Sequence, residues 1–122
     1  ETDPLLPKNN YSWSKLGGES SVQMYKNSLI LRVCMTEKPF VHKKAFSNLK
    51  SNFMFHEDLT EILPKILNKK GIINIGGPSQ SVYSFAKKFN PKVKKIYAKK
   101  NLHLPLNQTM KLNKLKKILK KR

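Results

Sequence analysis

A tyrosine and a lysine stand four residues apart in the stretch NNYSWSKLGGES, at Tyr11 and Lys15. Residues with this spacing lie on the same face of a helix and are close enough to interact. An ammonium group beside a tyrosine lowers the pKa of the phenol from its usual value of about 10, which prepares the phenol for proton transfer near neutral pH. The same spacing also fits a tyrosine that packs near a helix start beside a solvated lysine. Only the rest of the chain can separate these two interpretations.

Other residue types that carry chemistry are scattered. His42, His56 and His103 are far apart in sequence, Cys34 is the only cysteine, and none of them has the spacing of metal ligands, so no metal site is predicted. The GGP stretch at 76–78 lacks the Gly-Lys-Ser/Thr of a phosphate-binding loop, and we interpret it as a turn at the end of a strand.

The charge of the chain is concentrated in its second half. The net charge is +18, yet residues 1–61 combine all seven acidic residues with eight basic ones, a net of +1. Residues 62–122 contain no acid and the other seventeen basic residues, a net of +17. Only Arg32 and Arg122 are arginines, although base and phosphate recognition usually depends on the planar guanidinium. The charge therefore predicts nonspecific attraction to polyanions rather than recognition of one nucleic-acid sequence.

Hydrophobic periodicity predicts helices that alternate with short strands. Asn10 is expected to cap the first helix, and Asp58 with Glu61 resembles a capping box for the second, which contains Pro64. The segment 35–57 is irregular but anchored by phenylalanines. The predicted helices lie at about 11–26, from Asp58 onward, after Ser79 or Ser81, and at about 109–121. The predicted strands lie at 28–34, at 71–76 and at 92–98, the last as an edge strand.

This order of elements indicates an α/β fold. The apolar runs at 28–34 and 71–76 are typical of strands buried on both faces of a parallel sheet. Two such strands cannot cover a sheet of their own, so the chain is expected to be a piece of a larger sheet. Gly17 and Gly18 are expected to mark a place where another backbone packs closely against the first helix.

Composition also predicts a location. No apolar run approaches the ~20 residues that span a bilayer. The N-terminal stretch is acidic and proline-rich and lacks the basic and then apolar pattern of a signal peptide. The single Cys34 fits a reducing compartment. We therefore expect a cytoplasmic protein with no membrane association.

Five stretches, in order, resemble the extended short-chain dehydrogenase/reductases, of the dTDP-4-dehydrorhamnose reductase and sugar-nucleotide epimerase type. ETDPLLPKNNYSWSKLGGES resembles the region of the active-site helix, with its Tyr-x-x-x-Lys followed by small residues and a glutamate. LILRVC is similar to the strand that follows. The other three stretches are FMFHEDLTEIL, GIINIGGPSQSVYSFAKKF and LPLNQTMKLNKLKKIL. The resemblance covers nearly the whole chain.

The resemblance implies the C-terminal portion of a Rossmann-like, doubly wound and mostly parallel sheet with substrate-side helices. It implies that Tyr11 donates a proton to a keto-sugar while NAD(P)H delivers hydride, and that Lys15 holds the nicotinamide ribose. Lys43, Lys44 and Phe46 would contact the nucleotide-sugar substrate. Reduction and epimerisation, and NADH and NADPH, stay open alternatives.

One feature of that family is missing from the sequence. The Gly-x-x-Gly-x-x-Gly turn that binds the cofactor pyrophosphate does not occur in the 122 residues. Residues 1–122 are therefore expected to form a single partial domain whose N-terminal dinucleotide-binding portion is absent or supplied by a partner chain. The isolated chain is expected to be inactive. The alternative is a noncatalytic remnant or basic binding module that attracts polyanions.

Overall fold

Helices and short strands alternate through the part of the chain that the computed structural model describes, residues 7–99 and 105–121. The helices are α1 (Asn10–Gln23), α2 (His56–Ile66), α3 (Val82–Phe89) and α4 (Asn113–Lys120). The strands are β1 (Leu29–Val33), β2 (Met35–Thr36), β3 (Lys44–Phe46), β4 (Lys50–Ser51), β5 (Met54–Phe55), β6 (Gly71–Ile75), β7 (Gln80–Ser81) and β8 (Lys94–Ile96). The predicted α/β order is confirmed.

The longest strands, β1 and β6, pair in parallel, with Leu29 opposite Gly71 and Val33 opposite Ile75. β2 pairs in parallel with β5 and β3 with β8, whereas β4 and β7 are antiparallel. β6 is well covered, since Ile73 and Ile75 are fully buried. The expectation that the first strand is buried on both faces is wrong for most of β1, where Ile30 alone is buried and the other residues are half-buried. Its second edge has no neighbouring strand among the described residues.

Two hydrophobic clusters hold these elements together. In the first, Phe85 of α3 packs with Ala45 of β3 and Phe55 of β5, and the rings of Phe55 and Phe89 meet edge to face with centroids 4.6 Å apart. In the second, α2 and α4 cover β6; its buried members are Met54, Ile66, Ile73, Ile75 and Leu115. The predicted role of the last helix, a cover for the core with a solvated basic face, is confirmed.

The helices α2 and α4 begin elsewhere than the sequence suggests. α2 begins at His56, and its N-cap is Phe55. The Asp58 carboxylate accepts a hydrogen bond from the Phe55 backbone N–H at 2.9 Å. The expected capping box of Asp58 with Glu61 is therefore wrong. α4 begins four residues after the expected Thr109. Before it, the Met110 N–H donates to Asn52 Oδ1 at 2.6 Å, which holds this segment outside the helix.

Asn52 also fixes the turn after β6. The Gly77 N–H donates to the Asn52 carbonyl, and Asn52 Nδ2 donates to the Gly77 carbonyl, each at 3.0 Å. A Cβ on Gly76 would lie 2.6 Å from the Asn52 carbonyl oxygen, and a Cβ on Gly77 would lie 2.5 Å from that of Phe53. The glycines of the GGP turn therefore permit two backbones to approach closely, as expected for a structural turn. Ser81 caps the next helix by accepting from the Ser84 N–H at 3.0 Å.

Among the described residues, none of the helices is long and apolar enough to cross a membrane.

Candidate active site

The helix α1 begins immediately before the tyrosine of interest. Asn9, not the expected Asn10, caps it, with its Oδ1 accepting from the Ser12 N–H at 2.8 Å. Tyr11 therefore lies in the first turn, and Lys15 lies one turn later on the same face. The ammonium nitrogen of Lys15 is 5.3 Å from the centre of the Tyr11 ring, within the range of a cation–π contact. The predicted juxtaposition of these two side chains is present, and the Tyr11 side chain is 70% exposed.

An ion pair that the sequence analysis did not anticipate connects α1 to β1. The Arg32 guanidinium donates two hydrogen bonds to the Glu19 carboxylate, from Nε to Oε2 at 3.1 Å and from a terminal nitrogen to Oε1 at 2.5 Å. Both side chains are mostly buried. The sequence did contain a signal that Glu19 belongs to this site. Glu19 follows Lys15 by four residues and therefore shares the helix face of Tyr11 and Lys15.

Two depressions open on this face. The smaller one, of about 260 Å³, lies between Tyr11, Lys15 and the Glu19–Arg32 pair. The larger, a groove of about 840 Å³, extends along β1; it is lined by Tyr11, Ser14, Lys15, Gly18, Glu19, Val22, residues 29–35, Ser51, Gln108 and Met110. Tyr11 and Lys15 therefore stand where a ligand in either space could reach both.

The larger groove follows the open edge of β1. The Ser28 carbonyl accepts from the Gly71 N–H at 2.8 Å, and the Cys34 N–H donates to the Ile75 carbonyl at 3.2 Å. Because backbone groups in a parallel strand alternate between its two sides, the N–H and C=O groups of Leu29, Leu31 and Val33 point to the edge of β1 opposite β6. This edge has the geometry that accepts a further strand.

The other predicted site residues lie elsewhere. Lys44 and Phe46 belong to β3, which pairs with β8, and the Lys43 carbonyl accepts from the Lys94 N–H at 2.9 Å. Both lysines are exposed and Phe46 is half-buried. None of the three lines either depression beside Tyr11, so the structure does not join them to the tyrosine–lysine pair. Their role as substrate contacts stays a prediction.

The glycines of α1 have open surroundings. A Cβ on Gly17 or Gly18 would meet no described atom within 4 Å. The expected close packing of another backbone at this point is therefore absent from the described part of the chain. In the same part, no group of three or more histidine, cysteine, aspartate or glutamate side chains is placed to hold a metal ion.

Solved structures with the same arrangement of elements include three reductases. A hypothetical dTDP-4-dehydrorhamnose reductase from Sulfolobus tokodaii matches with a TM-score of 0.78 and 24% identity, over 98% of this chain and 52% of its own. The dTDP-4-dehydrorhamnose reductase of Bacillus anthracis, solved with NADP, matches with a TM-score of 0.75 and 19% identity, over 95% of this chain and 51% of its own. The dTDP-4-dehydrorhamnose reductase of Yersinia enterocolitica matches with a TM-score of 0.73 and 22% identity, over 99% of this chain and 53% of its own. No family model and no curated protein matches the chain.

Over nearly its whole length the chain shares the Rossmann-like fold of these reductases. It spans about half the length of each of these reductases, which agrees with the predicted C-terminal portion of a larger enzyme. Within the reductase fold, α1 presents Tyr11 and Lys15 beside the open edge of β1. The pair is therefore located next to a strand edge that is unpaired among the described residues.

Proposed function

We propose that this chain is the substrate-side portion of an NAD(P)-dependent sugar-nucleotide oxidoreductase, either a keto-sugar reductase of the dTDP-4-dehydrorhamnose reductase type or an epimerase. The observation that carries the proposal is the Tyr11–Lys15 pair, which opens onto the groove along β1 in a chain with a reductase fold. One structure with this fold was solved with NADP, which supports the same cofactor class here.

Tyr11 is the proton donor and acceptor in this proposal. When bound, the nicotinamide cofactor supplies a hydride to the carbonyl carbon of the sugar. Tyr11 gives its phenolic proton to the carbonyl oxygen, so the carbonyl becomes an alcohol and the tyrosine is left as a phenolate that solvent reprotonates. The exposure of Tyr11 at the rim of two depressions supports this role, because its hydroxyl is accessible to a substrate.

Lys15 has two tasks in the proposal. Its positive charge lies 5.3 Å from the Tyr11 ring centre and would offset the negative charge that develops on the tyrosine oxygen during proton transfer. Its ammonium group is exposed and has hydrogen-bond donors for the hydroxyls of the nicotinamide ribose. The residues present therefore fit the ribose end of the cofactor, whereas a glycine-rich turn for its pyrophosphate is not among the 122 residues.

A second portion completes the proposed enzyme, either an N-terminal Rossmann portion or a partner chain. Its adjoining strand adds to β1, where the backbone groups of Leu29, Leu31 and Val33 point to the edge opposite β6. It also supplies the pyrophosphate turn. The lone Cys34 supports a cytoplasmic location. The second candidate function, a noncatalytic basic binding module, is favoured by the net charge of +17 on residues 62–122.

Complementation tests the proposal. The chain is fused to, or mixed with, the N-terminal half of the Bacillus anthracis reductase, and NADPH oxidation with dTDP-4-dehydrorhamnose is followed. Tyr11→Phe should lower kcat by roughly 100-fold or more, the scale of a positioned acid–base group, with little change in substrate KM. Tyr25→Phe is the matched control, since Tyr25 is 74% exposed and lies outside both depressions. Lys15→Met should raise the KM for NADPH, whereas Lys26→Met should not.

A Tyr11→Phe assembly with near wild-type turnover would eliminate Tyr11 as the acid. A well-folded assembly with no activity would favour the noncatalytic module. The chain alone should show no saturable NADPH binding by calorimetry, because it has no pyrophosphate turn. Saturable, salt-resistant binding at micromolar NADPH would contradict the proposed division of the cofactor site.

A further inference from the structure

A basic cavity, distinct from both depressions beside Tyr11, lies between the end of α2 and the face of α4. Its volume is about 740 Å³. Six of the nine residues that line it are lysines, and none is acidic; the lysines are Lys65, Lys69, Lys70, Lys114, Lys117 and Lys121. We refer to this space as the lysine cavity. It shares no lining residue with the depressions at Tyr11, so it is a space separate from the candidate active site.

The core of the molecule holds the lysine cavity in shape. Leu115 of α4 is 3% exposed and belongs to the same buried cluster as Ile66 of α2. This contact places Lys114 and Lys117 of α4 opposite the end of α2. Lys114 is fixed further, since its ammonium group donates to the Ile72 carbonyl at 2.7 Å. The cluster of positive charges is therefore set by tertiary packing and by the spacing of lysines along α4.

The charge of the cavity is not balanced by the protein. None of the six lysines forms an ion pair with a carboxylate of the described residues. Lysines in the last turn of a helix interact favourably with the helix dipole, which accounts for Lys65 and Lys117. The dipole does not account for Lys114, which lies in the first turn of α4, where positive charge is unfavourable. Mutual repulsion of the six ammonium groups would be relieved by a multivalent anion.

The size and chemistry of the space select the anion. A volume of 740 Å³ lies within the range of about 300–1,000 Å³ that is usual for small-molecule sites. Lysine binds phosphate oxygens as a point charge, without the planar geometry that arginine imposes. We propose that the lysine cavity binds a compact polyphosphate, an anion that carries several linked phosphate groups.

Calorimetry with inorganic tripolyphosphate tests this binding on the full 122-residue chain. The expected result is one site per chain, with much weaker binding of orthophosphate. The variant Lys65→Gln/Lys69→Gln/Lys117→Gln removes three charges from the cavity and keeps Lys114, whose ammonium group holds the Ile72 carbonyl. It should weaken tripolyphosphate binding by roughly tenfold or more, because the small contributions of three exposed lysine–phosphate pairs to the binding free energy add up.

The matched control is Lys92→Gln/Lys94→Gln/Lys99→Gln, which has the same net charge but removes exposed lysines outside the cavity. It should weaken binding by roughly threefold at most, through the long-range field alone. Circular dichroism of both variants checks the fold. If the triple variant does not fold, the single variants Lys69→Gln and Lys117→Gln should each still weaken binding more than Lys92→Gln.

Three results would overturn the inference. Equal losses in the two triple variants would mean that net charge, and not the cavity, attracts the anion. Equal affinity for orthophosphate and tripolyphosphate would exclude recognition of linked phosphates. A single-stranded oligonucleotide that binds more tightly than tripolyphosphate, and is weakened by the cavity variant, would show that the site takes a nucleic-acid backbone instead.

Discussion

The helix that carries the candidate active site and the helices that cover β6 are held in different ways. α1 has no buried residue, and its mostly buried connection to β1 is the Glu19–Arg32 ion pair. Around β6, by contrast, Ile66, Ile73 and Ile75 are fully buried and Leu115 is nearly so. The covered side of the β1–β6 pair is a packed core, whereas the side beside α1 is largely exposed among the described residues.

This contrast explains why exposed apolar side chains cluster on and just after α1. Tyr11, Trp13, Val22, Met24 and Tyr25 are all exposed, and Tyr11 and Val22 line the groove along β1. Burial of such side chains would contribute about 25 cal/mol for each Å² removed from water. The second portion of the proposed enzyme would provide that burial, so α1 should gain stability on assembly and the core around β6 should not.

The largest expected difference between the two regions is in packing. Leu115→Ala should destabilise the chain by about 2–5 kcal/mol, because it deletes a buried side chain between α2, α4 and β6. Trp13→Ala removes a larger side chain that is 60% exposed and should cost well under about 1 kcal/mol in the isolated chain. Urea denaturation measures both. Similar losses for the two variants would mean that α1 is packed as firmly as the core.

Glycines provide a second contrast, of intermediate size. Gly76→Ala should destabilise by about 1–3 kcal/mol, because its Cβ would lie 2.6 Å from the Asn52 carbonyl oxygen. Gly17→Ala, which adds the same methyl group in open space within α1, should stabilise the isolated chain by up to about 1 kcal/mol. Thermal melting compares the two variants.

The same Gly17→Ala variant sharpens the comparison in the complemented enzyme. If another backbone packs on α1 there, as the sequence predicts, the methyl group should reduce assembly with the second portion. Unchanged assembly would show that the glycines of α1 have no packing role.

The smallest expected effect concerns the ion pair. Glu19→Gln should loosen α1 locally by about 1 kcal/mol, the upper range for a pair that is partly exposed to solvent. Hydrogen exchange should therefore quicken in the amides of α1 and stay unchanged in β6. Glu61→Gln is the control, since Glu61 is exposed on α2 and has no ion pair among the described residues. Faster exchange throughout the chain would mean that α1 is not an independent unit.

Local spacing was sufficient to predict a large part of this molecule. The order of helices and strands, the parallel-type apolar runs, the Ser81 cap and the shared face of Tyr11 and Lys15 all follow from residues within a few positions of each other. Such features depend on backbone periodicity, which acts over one or two turns. The predicted chemistry of Tyr11 rested on the resemblance, and its geometry on that periodicity.

Contacts between distant residues decided the rest. Glu19 meets Arg32 across thirteen positions, and Asn52 accepts from Met110 across fifty-eight, which delays the start of α4. The lysine cavity likewise forms because Leu115 brings α4 against α2. The spacing of residues along the chain does not predict which polar side chains will contact each other, because those contacts depend on how the hydrophobic clusters pack. Sequence alone therefore placed the tyrosine and the lysine on one helix face, and the tertiary structure placed that face beside an open strand.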